Sequence, residues 1–242
     1  MKILCVIPIY NEENRLNDLL NDIKLFKTKD KLNIDFLLIN NNSNDRSLQI
    51  IKSFNFKFIT LRKNFGIGYA FLLGLKIASY LNYEILIHMA GNNKMSPFDI
   101  QKILEPIVDN NIDYVSGTRF RFKKNYENNP LFRKISIKLL SLMFSLIFNK
   151  KITDATCGFR AFRIKKIYKY FKFFNKKKYY TYGYEYYSYG KVLLSKEISS
   201  CEADVKMNYP KKGKYSKIRP FIDWYPMIFG YLEAFFDKNK IK

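Results

Sequence analysis

MKILCVIPIYNEE, residues 1–13, is the stretch that decides the fold. An unbroken apolar run lies between Lys2 and the polar turn at residues 10–13, the pattern of a strand buried on both faces, read here as residues 2–9. The run is too short for a signal peptide or a membrane span. Helical spacing follows through Leu16, Leu19, Leu20 and Ile23. The same unit repeats outward. Residues 34–39 read as a second strand, followed by the polar loop NNNSNDRS (40–47) and a helix from about Ser47. Residues 56–61 read as a third strand, NFGIGYAFLLGLKIASYL (64–81) as a glycine-containing turn entering an apolar helix, and residues 84–88 as a fourth strand. This rhythm predicts an α/β fold, a mostly parallel sheet flanked by helices, with ligand loops at the C-terminal strand ends.

Beyond Asp113 the pattern loosens. Residues 114–117 read as a strand, 131–148 as an amphipathic helix and DATCGFRAFR (154–163) as a loop. A Lys/Tyr-dense stretch, the basic loop YPKKGKYSKIRP (209–220) and the aromatic segment FIDWYPMIFGYLEAFF (221–236) complete the chain. We expect one large domain over residues 1–220 and an aromatic, basic extension over residues 221–242.

Hydrophobic residues make up 48% of the 242 and aromatics 17%, which excludes a disordered chain. The net charge of +22 comes from 43 Lys and Arg against 21 Asp and Glu. Such an excess implies an anionic partner: nucleic acid, an anionic membrane surface or phosphorylated substrates. Cys5, Cys157 and Cys201 form no CxxC pair and there is one histidine, which argues against a zinc site or disulfide framework and fits a reducing cytosol. No apolar run approaches the roughly 18 residues of a spanning helix.

VIPIYNEE (6–13) resembles the opening of the family-2 glycosyltransferases, above all their polyprenyl-phosphate (dolichol-phosphate mannose synthase-like) branch. Later blocks follow in the family's order. NNNSND stands at its Asp-Asp-Gly-Ser-x-Asp loop, and NFGIGYAFLLGLKIA is similar to its Asn-x-Gly segment. GTRF (117–120), DATCGFR (154–160) and GKYSK (213–217) resemble its Gly-Ser-Arg, Asp-x-Thr-Ser-Gly-Phe-Arg and Gly-x-Ser-Lys blocks. The resemblance implies a GT-A-like, Rossmann-related domain with C-terminal amphipathic interfacial helices. It implies an inverting hexosyl transfer from a nucleotide-sugar to a polyprenyl phosphate, or to another membrane-linked acceptor such as a lipid-linked glycan.

On that resemblance Pro8, Tyr10 and Glu12 touch the nucleotide base and ribose. The plain alternative is an ordinary turn with an acidic residue in the first helical turn. Asn41 takes the place of a carboxylate that receives a base N–H, and Asn64, with Lys63, approaches the nucleotide. Asp45 is read as a helix cap, and Gly66, Gly68 and Gly74 as points of close packing rather than a phosphate cradle. In IHMAGNNKMSP (87–97), Ala90, Gly91 and Asn92 occupy the family's Asp-x-Asp loop. A divalent cation, Mg²⁺ or Mn²⁺, would have only Asn92 as a weak ligand. Lys94 brings a fixed positive charge instead, and is expected to replace the metal in part, helped by Arg119 and Lys217. The alternatives are a weakly held metal and an inactive relative that serves as a binding or scaffold subunit.

The acceptor phosphate is expected at Arg119, Arg160, Arg163 and Lys217, with Lys212 (or Lys211) and Ser216 in support. Arg160 leads because guanidinium forks phosphate; the competing role is a structural pair with Asp154. Asp154 is expected to orient its loop, and Glu185 to lie on the acceptor side or as a charge among core tyrosines. A hydroxyl acceptor would instead require Asp154 or Glu185 as base. Residues 131–148 and 221–236, with basic flanks, suit a membrane interface, a core contact or a homo-oligomer contact. The expected location is cytoplasmic, peripheral at the inner face of the cell membrane. Nucleic acid is not expected, because the basic residues decorate these blocks rather than a nucleic-acid-reading motif.

Overall fold

The computed structural model describes residues 1–29, 32–121, 130–171, 177–209, 217–219 and 222–237. The first strand, β1 (Ile3–Ile9), is buried along its whole length. Its side chains alternate between two layers. Ile3, Cys5, Ile7 and Ile9 pack with α1 (Glu13–Lys29) and α4 (Ile100–Val108) through Leu16, Leu20, Ile100 and Ile103. Leu4 and Val6 face the other layer, where α3 (Ile67–Tyr80) lies. That alternation is why the apolar run is continuous: both faces of the strand are core.

Around β1 stand β2 (Ile34–Asn40), β3 (Lys57–Thr60) and β4 (Ile85–His88), all parallel, with α2 (Ser47–Ser53) between β2 and β3. The seven-stranded sheet runs β3-β2-β1-β4-β6-β5-β7. It is completed by β5 (Tyr114–Thr118), β6 (Arg160–Arg163) and β7 (Ser200–Asp204). Strand β6 is antiparallel to both β4 and β5, whereas β7 is parallel to β5. The parallel α/β expectation holds, with two additions. Residues 160–163 form a strand, not the end of a loop: arginines at both ends conceal the apolar pair Ala161 and Phe162, which the sheet buries. Strand β7 has too polar a sequence to be read as buried, because it is half-exposed beside β5.

The remaining helices, α5 (Leu131–Phe148), α6 (Ile164–Phe171), α7 (Gly183–Leu194) and α8 (Trp224–Phe236), build on the α3 side. The tyrosine-dense stretch forms α7 and is buried throughout residues 183–193. Within the stretch set apart as an extension, α8 buries Met227, Gly230, Tyr231 and Ala234. Glycines let the two helices touch. A Cβ on Gly230 would lie 2.8 Å from the Gly183 carbonyl oxygen and 3.0 Å from the Tyr187 nitrogen, and one on Gly190 would lie 2.6 Å from the Ala234 Cβ. Gly74 likewise admits Val6 of the sheet, as the close-packing reading expects. Gly66 and Gly68 instead admit the carbonyls of Tyr179, Tyr180 and Thr181.

His88 ends β4 in the α3 layer, stacked on Phe71 at 4.0 Å between centroids, with neither ring nitrogen hydrogen-bonded. Burial, and secondly the Arg160 charge, lower its pKa to about 3. The unfolded chain therefore takes up this proton first, so stability is lost as pH falls from about 6.5 towards 3. His88→Phe is expected to flatten that limb by up to about 1.4 kcal/mol per pH unit in denaturant titrations. Gly230→Ala is expected to destabilise the fold by about 1–3 kcal/mol by forcing α7 and α8 apart, measured by urea unfolding.

Candidate functional site

The loops after β1, β2, β4 and β5 converge at one edge of the sheet. The turn after β1 is stitched to the loop after β2: Asn11 N–H donates to Ser43 Oγ, Glu12 N–H to Ser47 Oγ and Glu13 N–H to Asp45 Oδ2. Asp45 also accepts from Ser47 N–H, so it serves the start of both α1 and α2. Its carboxyl is held below its usual range: burial opposes, and the hydrogen bonds from Ser47 and Glu13 prevail. Lys217 closes this edge, 2.7 Å from Glu12 Oε1 and 2.6 Å from the Asn11 carbonyl oxygen.

The loop after β4 presses on the end of β1. Gly91 N–H donates to the Pro8 carbonyl, and a Cβ on Gly91 would lie 2.9 Å from that oxygen. Lys94 is clamped by its backbone: its N–H donates to Asn92 Oδ1, and its carbonyl accepts from Asn208 N–H. Its half-buried ammonium lies 5.9 Å from the Tyr209 ring centroid. Burial first, then the charges of Arg133 and Arg15, bring its pKa down to about 8; Glu12 opposes and Arg119 adds to the fall.

Arg119 leaves the end of β5 and is buried with Asp154, which reaches it from the loop before β6. Arg119 Nε donates to Asp154 Oδ2 at 2.5 Å and Nη2 to Oδ1 at 2.6 Å. Its Nη1 donates to the Tyr209 hydroxyl at 2.6 Å. Burial works against the Arg119 charge, but Asp154 and Tyr209 more than offset it and hold its pKa well above the ordinary value. Arg133, in the first turn of α5, stands 5.9 Å from the same Tyr209 ring. One tyrosine thus gathers Lys94, Arg119 and Arg133.

Several expected site residues lie elsewhere. Arg160 is wholly buried: Nε donates to the Cys157 carbonyl, and Nη1 to the Glu185 carbonyl and Tyr114 hydroxyl. Its carboxylate partner is Glu185 at 3.5 Å, not Asp154. Burial raises the Glu185 pKa and Arg160 opposes, so Glu185 is a buried carboxyl rather than a surface charge. Arg163 ends β6 at the opposite sheet edge, paired in register with Ile85 and bonded to the Ile107 carbonyl. The Asn41 amide is engaged locally, accepting from Phe65 N–H and donating to Asn64 Oδ1. Lys211, Lys212 and Ser216 lie outside the described residues.

Arg15, Arg133 and Tyr209 escaped the sequence reading. A signal existed for the arginines: each is a cation in the first turn of a helix, where the dipole favours anions. The loop does not fit Mg²⁺ or Mn²⁺. Ala90 offers no side-chain ligand, the Asn92 oxygen serves Lys94 N–H, and among the described residues no group of three or more His, Cys, Asp or Glu gathers.

This sheet, with its loops converging at the C-terminal ends of β1, β4 and β5, is that of a GT-A-type sugar transferase. The match to the family model described as glycosyl transferase family 2, over residues 4–171, shows that the chain belongs to that family. It is 33% identical to an uncharacterized protein of Methanocaldococcus jannaschii, covering 65% of this chain and 69% of that one. It is 28% identical to the UDP-N-acetylglucosamine–dolichyl-phosphate N-acetylglucosaminyltransferase of Methanococcus voltae, covering 66% of this chain and 68% of the relative. Among solved structures it resembles glucosyl-3-phosphoglycerate synthase from Mycobacterium tuberculosis in complex with Mn²⁺, UDP and glucosyl-3-phosphoglycerate. There the TM-score is 0.65 at 12% identity, over 100% of this chain and 81% of the other. The chain is a glycosyltransferase.

Asp154→Ala should cost about 3–5 kcal/mol in chemical unfolding, because it leaves the Arg119 charge buried alone. Adding Arg119→Met should recover part of that loss, the sign of a coupled pair.

Proposed function

We propose that this protein is an inverting transferase that moves a sugar from a nucleotide-sugar to a polyprenyl phosphate or related lipid-linked acceptor. The observation that carries this reading is a cation-lined cleft in which, among the described residues, the carboxylates nearest Lys94 and Arg119 are engaged. Both Asp154 oxygens hold Arg119 and Glu12 is paired with Lys217. A hydroxyl acceptor needs a base, whereas an ionised phosphate does not. In the transfer, an acceptor phosphate oxygen bonds to the anomeric carbon as the bond to the nucleoside diphosphate breaks. The diphosphate leaves with the electron pair, and no proton is moved. Arg133 holds the acceptor anion, Arg119 fixes the Tyr209 ring beside it, and positive charge from the chain stabilises the leaving group. The dolichyl-phosphate acceptor in the Methanococcus relative's name supports the lipid phosphate.

The surface suits a lipid partner. The outer face of α5 exposes Leu131, Leu139, Leu142 and Leu146, and α8 adds Tyr225 and Phe229. Lys138 and Lys150 flank this face. Apolar exposure on this scale beside lysines favours peripheral binding to an anionic bilayer, which we place at the inner face of the cell membrane. No helix among the described residues is long and apolar enough to cross a membrane.

The test is transfer of radiolabelled sugar, from a panel of UDP- and GDP-sugars, to vesicles holding either polyprenyl phosphate or the free polyprenol. Labelled lipid is expected with the phosphate alone. Equal labelling of the polyprenol would show that a base operates and would overturn the reading. No labelling from any donor would favour the scaffold alternative.

A further inference from the structure

The lost carboxylates of the loop after β4 leave a question of charge, because a departing diphosphate must be stabilised by something. Resting on the transferase reading above, we infer that Lys94 and Arg15 form the binding site for the donor's diphosphate and do the work of a divalent metal there.

Lys94 follows Ala90 and Asn92 in the loop where the family resemblance puts a metal, and that loop abuts the end of β1 through Gly91. The donor set does not suit a hard divalent cation, which takes several oxygen ligands, preferably charged.

Arg119 is matched by Asp154, and Lys217 by Glu12. Among the described residues, neither the Lys94 ammonium nor the Arg15 guanidinium has a hydrogen-bond or ion-pair partner. Lys94 nevertheless sits half-buried within the electrostatic reach of Arg133, Arg15 and Arg119, against the carboxylate of Glu12, which Lys217 already pairs. Like charges gathered in a part-buried cleft repel one another, and a polyanion seated between them relieves that repulsion. Arg15 also stands in the first turn of α1, whose dipole adds to the positive potential.

The Lys94 carbonyl is held by Asn208 N–H at 2.9 Å, and the neighbouring Met95 bridges to Met207. Tyr209, two residues on, is tied to Arg119, which Asp154 fixes. The ammonium is therefore carried on a backbone clamped from both sides, which limits the volume the charge can reach. A metal ion confers the same advantage in a preorganised site.

Binding of UDP, GDP and inorganic pyrophosphate would be measured by calorimetry in EDTA and again with Mn²⁺. The expected result is wild-type binding of a nucleotide in EDTA, within about threefold of its affinity with Mn²⁺. Lys94→Gln is expected to weaken it by about tenfold to hundredfold, the loss of a charged hydrogen bond, and Lys94→Arg to retain most of it. Thermal melts would establish that each variant is folded. Should Lys94→Gln fail to fold, Arg15→Gln provides the same comparison from the first turn of α1. The combined Ala90→Asp, Asn92→Asp, Lys94→Gln variant, which restores carboxylates, is expected to bind nucleotide only with Mn²⁺. Wild-type binding that requires Mn²⁺ and is indifferent to Lys94→Gln would overturn the inference while leaving the transferase reading intact. No nucleotide binding under either condition would overturn both.

Discussion

The buried ion pair between Arg119 and Asp154 is the constraint on which the rest of the site depends. It joins the end of β5 to the loop before β6, two segments 35 residues apart in sequence. Asp154 is itself anchored, since its N–H and that of Thr153 donate to Glu202 on β7. A buried pair of this kind adds little net stability, but removing either partner strands a charge away from water. Because both Asp154 oxygens are occupied, the guanidinium is fixed in plane and its remaining edge holds Tyr209. Tyr209 then serves as the wall beside which Lys94 and Arg133 stand.

A second buried pair lies beneath the first. Arg160 holds the Cys157 carbonyl and the Glu185 carbonyl, so the loop carrying Asp154 is tied to the start of α7. This explains how arginine and glutamate can occupy a core otherwise made of tyrosine and phenylalanine: most of the guanidinium edge is satisfied by carbonyls and a hydroxyl. Its role is to hold up the site rather than to touch a substrate. The two pairs together leave the cleft with cations that outnumber the available anions, which is the electrostatic basis of the proposed reaction.

Particular residues show how far the chain could be read in advance. The parallel half was legible because β1, β2 and β4 are buried on both faces and the loops between them are polar. The blocks carrying Lys94, Arg119 and Asp154 were also legible, since their types and order are unusual outside one family. Arg160 misled because guanidinium suits phosphate and core carbonyls equally, and its Glu185 partner lies 25 residues away. Arg163 misled because the antiparallel turn of β6 sends it to the far edge of the sheet. Asn41 was placed at the correct loop, yet its amide closes the turn at Phe65 instead of remaining open.

By itself the sequence determined the α/β architecture, the edge of the sheet that carries chemistry and the replacement of carboxylates by Ala90, Asn92 and Lys94. These depend on periodicity and residue type, which are local properties of the chain. Only the tertiary structure decided which charges neutralise one another, that Arg160 is core and that Lys94 and Arg133 share the Tyr209 ring. Pairing between charges depends on distance and burial, and both are set by how distant segments pack.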